Sequence, residues 1–223
     1  PPTGPAGKVV LDHLAKARKR AKKNKLLDSY APAAGSSRQF VFGDVDPPTN
    51  GHYNDTLVPV GAEAEAVLIP ILTAYEAAHS AQLTRRLGLG RRLGSGVGSY
   101  PVFRYYALYE ARAGHELIEV KEVRDMLNFP VPGGPPPRYA HSAERSVVLQ
   151  RALQNPAALG PYLAGAGASP TSFRVRRRSD FQRALDTNDL REALEKNEIT
   201  PEDIVALAET LGPVLEHHAE FPR

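Results

Sequence analysis

Two apolar, aromatic-rich runs joined by a tight turn and preceded by glycines constrain this chain most. Residues 94–99 read Gly94-Ser95-Gly96-Val97-Gly98-Ser99, and after Tyr100-Pro101 comes Val102-Phe103-Arg104-Tyr105-Tyr106-Ala107-Leu108-Tyr109. A turn at Ala111-Arg112-Ala113-Gly114 then leads into His115-Glu116-Leu117-Ile118-Glu119-Val120-Lys121. Such runs, broken by a glycine-containing turn, predict an antiparallel β-hairpin. Glycines let backbone amides approach an anion closely, and a lysine on the strand beyond can reach the same anion as a point charge. A plain turn and a solvated lysine with its stem on apolar surface satisfy the same residues. The G-x-G-x-G spacing, the hairpin and the Ile-Glu-Val-Lys strand together point to phosphate binding.

The order glycine loop, aromatic strand and lysine strand is the working layout of a protein-kinase nucleotide lobe. Bulk composition leaves room for such a lobe and more. A globule of 223 residues buries roughly 70% of its unfolded surface and needs no staples. The chain has no cysteine, which excludes disulfides, thiolate metal sites and a thiol nucleophile, and fits a reducing cytoplasm. No apolar run approaches the roughly 20 residues that span a bilayer, and Pro1-Pro2-Thr3-Gly4-Pro5 lacks the order of a signal peptide. The absence of an initial Met predicts a processed chain or a fragment.

The net charge of +3 is local in origin. Lys16, Arg18, Lys19, Arg20, Lys22, Lys23 and Lys25 fall together with no acid among them, and the remainder of the chain is net negative. Residues 8–27 read as a helix, since Val10, Leu14, Ala17 and Ala21 recur on one face. Its basic side is a polyanion-binding surface or a solvated face. The scarcity of neighbouring aromatics, Tyr30 apart, favours the second.

Further along, residues 38–42 predict a short strand, followed by a turn-rich stretch. Asp44, Asp46, Asn50, His52 and Asp55 there form a cluster of hard ligands, although Pro47-Pro48 and Asn50-Gly51 explain it equally as turn chemistry. Val58-Pro59-Val60 predicts extended chain. Residues 62–87 predict a helix closed at Gly88 and kinked or divided by Pro70. The proline-rich 130–137 predicts a connector, and Ser142 caps a helix over 143–153 that carries Glu144. Residues 156–167 predict a short helix and 173–178 a strand with arginines facing water or an anion. Residues 180–196 read as helical in two pieces. Thr200-Pro201-Glu202-Asp203 then opens a last helix with a cap, a proline and two acids where a helix start favours them. His217-His218 diverge around that helix and read as surface residues.

Several of these segments resemble the bacterial family named domain of unknown function 2252. The resemblance rests on Arg92-Leu93-Gly94-Ser95-Gly96-Val97-Gly98-Ser99, Tyr105-Tyr106-Ala107-Leu108 and Ile118-Glu119-Val120-Lys121-Glu122, the loop and the Val-Lys-Glu strand being most specific. Asp46-Pro47-Pro48, Glu144-Arg145, Gln150-Arg151, Phe173-Arg174-Val175-Arg176 and the ending Leu215-Glu216-His217-His218-Ala219 extend it over most of residues 8–219. It implies a kinase-like fold in which Lys121 contacts phosphate. Members of the family carry a G-D-x-H-x-x-N loop upstream. Here Gly43-Asp44 begins that pattern, but Asp46 stands at the histidine and Thr49 at the asparagine. The chain is therefore expected to be the C-terminal portion of a longer protein.

The expected fold is α+β: a kinase-like lobe whose small antiparallel sheet carries a glycine-rich hairpin, with surrounding helices. Residues 1–57 form a basic helix and turn-rich segment, and 58–223 the lobe. ATP and Mg²⁺ are the expected cofactors. Gly94, Ser95, Gly96, Val97, Gly98 and Ser99 would cradle the phosphates, Lys121 would hold them, Glu144 would orient Lys121, and Asp44 and Asp46 would meet the metal. The alternative is a non-catalytic scaffold, or a polyanion-binding module that uses residues 16–25.

Overall fold

The computed structural model describes residues 4–22, 25–45, 55–94, 102–124, 139–153, 163–168, 171–178 and 187–216. They fall into two compact units, Leu27–Arg178 and, from the two ends of the chain, Pro1–Leu26 with Ser179–Arg223. The architecture is α+β.

The larger unit is built on a six-stranded sheet. Its strands are β3 (Leu57–Pro59), β4 (Leu83–Arg92), β5 (Arg104–Ala111), β6 (Gly114–Arg124), β7 (Ala164–Ala168) and β8 (Thr171–Arg178). They lie in the order β3-β4-β5-β6-β8-β7, every neighbouring pair antiparallel. A separate two-stranded ladder joins β1 (Ala33–Ala34) to β2 (Ser37–Arg38). The central hairpin forms where the sequence places it, with Ala111 opposite Gly114 across two turn residues. Gly114 takes φ 116°, a conformation costly for any side chain with a Cβ.

Helix α3 (Ala62–Ala78) lies on one face of this sheet. Its Leu68, Leu72 and Tyr75 meet Tyr105, Ala107 and Tyr109 of β5, Ile118 and Val120 of β6, and Phe173 and Val175 of β8 in one apolar cluster. Each large side chain so buried stabilises the fold by about 1.5–3 kcal/mol. Pro70 does not divide the helix, and its ring is on the exposed side. The expected continuation of this helix to residue 87 is wrong: it ends at Ala78, His79 N–H donates to the Glu76 carbonyl, and residues 83–92 become β4. Pairing with β5 decides the matter, and the two glycines inside β4 are contact positions. A Cβ on Gly88 would lie 3.1 Å from Phe40, and one on Gly90 2.7 Å from Leu57.

Two other expectations change. Only Ser37 and Arg38 of the strand expected over 38–42 and its flank enter a ladder. Residues 164–167, the end of an expected short helix, fall instead in the edge strand β7 (Ala164–Ala168).

Helix α4 (Ser142–Leu153) starts against the β6, β7 and β8 end of the sheet. The Ala143 N–H donates to Ser172 Oγ (3.1 Å), whose hydroxyl donates to the Val123 carbonyl (3.0 Å). Its cap is His141 rather than the expected Ser142. His141 Nδ1 accepts from the Glu144 N–H (3.1 Å), while the Glu144 carboxylate accepts from the Ala140 N–H (2.8 Å). This arrangement resembles a capping box, except that the carboxylate takes the N–H of the residue before the cap.

A short helix α2 (Lys25–Tyr30) precedes the β1–β2 ladder. In the other unit, α1 (Gly4–Lys22) packs with α5 (Thr187–Glu195) and α6 (Pro201–Glu216). The start of α6 is capped as its sequence requires: Asp203 N–H donates to Thr200 Oγ1 (3.3 Å) and Thr200 N–H to Asp203 Oδ2 (2.9 Å). Among the described residues no helix is long and apolar enough to cross a membrane.

Candidate functional site

Side chains alternate between the faces of a strand, so the apolar cluster under α3 leaves the intervening residues on the opposite face. On β6 these include Glu119 and Lys121. Register brings Arg104 and Arg174 to the two sides of Lys121, and Tyr106 and Arg176 to the two sides of Glu119. Arg178 stands opposite Leu117 one step further on.

Glu119 is fully buried. Arg176 Nε lies 2.7 Å from its carboxylate, Arg104 Nε 3.5 Å and Arg174 Nη2 3.8 Å. Burial pushes its pKa up, but Arg176, Arg104 and Arg178 together hold it below the usual 4.5, so Glu119 is ionised at neutral pH. The neighbouring cations show the opposite strain. Lys121 is lowered from 10.5 by burial, then by Arg104 and Arg174, against the pull of Glu119. Arg174 is lowered to about 10 by burial and by Arg176, Arg104 and Arg178, with Glu119 opposing. Five cations thus lie around this carboxylate, and neither the buried Nε of Arg174 nor the buried Oε2 of Glu119 finds a hydrogen-bond partner among the described residues. Guanidinium and ammonium donors gathered on one face of a sheet match the oxygens of an oxyanion.

The glycine segment enters and leaves beside this cluster. Gly94, at φ 70°, follows the end of β4, whereas Ser95, Gly96, Val97, Gly98 and Ser99 lie outside the described residues. On the far side, Phe103 is fixed to β6: its N–H donates to Glu122 Oε2 (2.8 Å), and its carbonyl accepts from the Glu122 N–H (2.8 Å). The Arg91 guanidinium sits over the Phe103 ring at 4.5 Å and joins the two stems. Arg104 then pairs directly with Lys121. The loop stems and Lys121 are therefore at the same end of the hairpin.

Tyr30 and Arg92 cover the β4 side of this face. Tyr30 packs edge-on against Tyr106 at 5.0 Å and donates to Asp55 (3.0 Å), which also holds Arg92 at 2.7 Å. Burial, reinforced by Tyr106, raises the Tyr30 pKa far above the usual 10.

Of the remaining expected site residues, Glu144 and Asp44 are described. Glu144 lines a cavity of about 680 Å³ with His79, His141 and Arg151, and its carboxylate is engaged by Ala140. The Glu119 carboxylate acts electrostatically on Lys121 and raises its pKa against the effect of burial. Asp44 is exposed, Asp46 lies outside the described residues, and no group of three or more metal-ligating side chains occurs among the described residues. Sequence reasoning saw the alternating arginines of β8 but missed their convergence on Glu119. Arg104 carried no signal of its own.

A protein-family model for domain of unknown function 2252, described as an uncharacterized protein conserved in bacteria, matches residues 4–217. No curated protein and no solved structure matches the chain. With nearly its whole length covered by that model, the chain belongs to the domain of unknown function 2252 family.

Proposed function

We propose that the chain is a kinase-like protein that binds the phosphates of a nucleotide at Lys121, as a phosphotransferase or a relative that has lost transfer. The observation that carries this reading is the row Arg104, Lys121, Arg174 at the mouth of a hairpin whose loop is glycine-rich. Hairpin, lysine strand and following helix occur in the order of a kinase nucleotide lobe.

In this reading Gly94, Ser95, Gly96, Val97, Gly98 and Ser99 offer backbone amides to phosphate oxygens, while Lys121 and its arginine neighbours neutralise them. Phosphoryl transfer depends chiefly on positioning and charge neutralisation, which a rigid sheet face with several cations supplies. Asp44 and Asp46 are the proposed carboxylates that would hold Mg²⁺, which would supply further charge neutralisation. Glu119 holds Lys121 and the arginines in place. Glu144 would act on Lys121 only after releasing Ala140.

Thermal melting with Mg-ATP and Mg-GTP, on this chain and on Lys121→Ala, tests the reading. A ligand at about one hundred times its dissociation constant adds about 2.7 kcal/mol of stability. A shift present in the parent and lost in Lys121→Ala is expected. A parent that melts identically with and without either nucleotide overturns the reading.

A further inference from the structure

Helix α4 lines a groove with one stripe of its surface. Glu144, Val147, Val148 and Arg151 stand on one side of the helix at spacings of three and four, and all of them border the cavity of about 680 Å³. Its other walls include His79 at the end of α3 and Leu163 at the start of β7. Glu144, Val148 and Arg151 are exposed, so the cavity opens along α4.

The polar groups of the groove already serve the fold. His141 Nδ1 accepts from the Glu144 N–H (3.1 Å), Arg151 Nη2 donates to the Leu163 carbonyl (2.8 Å), and His79 Nδ1 lies 2.7 Å from the Tyr75 carbonyl. A small-molecule site instead keeps a few convergent polar groups for its ligand. What the groove still offers is apolar contact at Val148 and one charge of each sign at its two ends.

The order of those charges identifies an occupant. The stripe reads acid, valine, valine, base, and its centre falls midway between Val147 and Val148. Glu144 and Arg151 stand at equal distances on either side of that centre, about 5 Å each along the helix axis. A two-fold axis through the centre lays a second α4 antiparallel to the first. Glu144 of each copy then meets Arg151 of the other, and the two Val148 side chains meet between them. Parallel pairing would instead set like charges against each other. Complementarity of one patch to itself after a half-turn is what a two-fold dimer requires. Both charged side chains are also held in advance, Glu144 Oε2 by the Ala140 N–H (2.8 Å) and Arg151 by the Leu163 carbonyl, which lowers the entropy lost on docking.

We propose that the groove is where a second copy of this chain docks, α4 antiparallel to α4, as a two-fold dimer. The proposal does not depend on what binds at Lys121. Exposed ion pairs are screened by salt, and the exposed apolar surface of the stripe is small, so the dimer is weak and salt-sensitive.

Sedimentation velocity of the whole chain from about 1 to about 300 µM, at low and at high salt, tests the proposal. The mass should rise from one chain to two with concentration, and high salt should oppose the rise. The variants are Glu144→Arg, Arg151→Glu and Val148→Asp. Glu144→Arg and Arg151→Glu each place like charges at both ends of the paired stripes, and each should weaken self-association by about tenfold or more. Mixed in equal amounts they restore both opposite pairs, and the mixture should dimerise within about threefold of the parent. A variant that is merely damaged does not recover on mixing. Val148→Asp keeps both charges and should also weaken the dimer.

A parent that stays one chain in mass over the whole range at low salt overturns the proposal and leaves the groove to another protein. A dimer that all three variants form as well as the parent places the interface elsewhere and overturns it too, as does a mixture no more dimeric than its components. Should Glu144→Arg not melt cooperatively without its Ala140 contact, Arg151→Glu and Val148→Asp decide: loss of the dimer in both supports the proposal, and retention in either overturns it.

Discussion

Glu119 is the residue on which the charged face depends. Burying an ion is costly unless it is paired, and removing one partner of a buried pair costs about 3–5 kcal/mol because the survivors stay desolvated. The arginines around Glu119 keep 13–19% of their side-chain surface in water, which places Glu119→Ala near the lower end, about 3 kcal/mol, by urea denaturation. The pH dependence has a definite sign. Folded Glu119 holds its proton less tightly than the unfolded chain, whose carboxyl has the usual 4.5, so its contribution is complete above pH 4.5 and is lost as the pH falls through the lower folded value. Glu116 runs the other way: burial raises its carboxyl more than Arg177 lowers it, and the resulting penalty disappears on acidification. The difference in unfolding free energy between the parent and Glu119→Gln isolates the first effect. It should be largest near pH 7 and shrink below pH 4.5; a gap that stays constant down to pH 3 would remove Glu119 from the account.

Among the elements, α4 is tied to the sheet through one buried hydroxyl at its start. Ser172 bridges the N-terminus of α4 and the end of β6, and it is almost wholly buried. Ser172→Ala leaves the Ala143 N–H and the Val123 carbonyl short of a partner and should cost about 1–3 kcal/mol in chemical denaturation. Gly165 permits the same contact: a Cβ there would lie 3.0 Å from the backbone of Ala143 and Glu144, so Gly165→Ala should displace the helix start at a comparable cost, about 1–3 kcal/mol. The legibility of the elements follows from what decides each of them. The β5–β6 hairpin and the start of α6 were readable because their signals are local: alternation around a glycine turn, and Thr200 with Asp203. Residues 83–92 were not, since two glycines and four arginines carry no strand pattern and the decision comes from pairing with β5. Gly165 and Ser172 were equally silent, because their importance lies in an approach between segments distant in the chain. For the candidate site, alternation placed Lys121 and Glu119 on one face, but only the register across three strands brings Arg104, Arg174 and Arg176 to them.

At the scale of the molecule, the two compact units separate two sources of positive charge. Lys121, Glu119 and the arginine rows all belong to Leu27–Arg178, whereas Lys8, Lys16, Arg18, Lys19 and the exposed Leu11 and Leu14 belong to α1 in the other unit. The first set is fixed around a buried carboxylate and the second lies on one helix, so they should respond differently to salt. Exposed cations that neutralise the charges of a polyanion release counter-ions, and affinity then falls steeply and linearly with the logarithm of salt concentration. Partly buried cations in a fixed geometry are screened less. A fragment of residues 27–178 keeps the six-stranded sheet and its apolar cluster entire, and it should therefore unfold cooperatively on its own. It should retain the nucleotide-dependent thermal shift and lose the salt-sensitive part of any binding to heparin or single-stranded nucleic acid. A fragment that melts cooperatively but shows no nucleotide shift would mean that the phosphate site draws on residues outside 27–178, and equal salt slopes for fragment and whole chain would take α1 out of polyanion binding altogether.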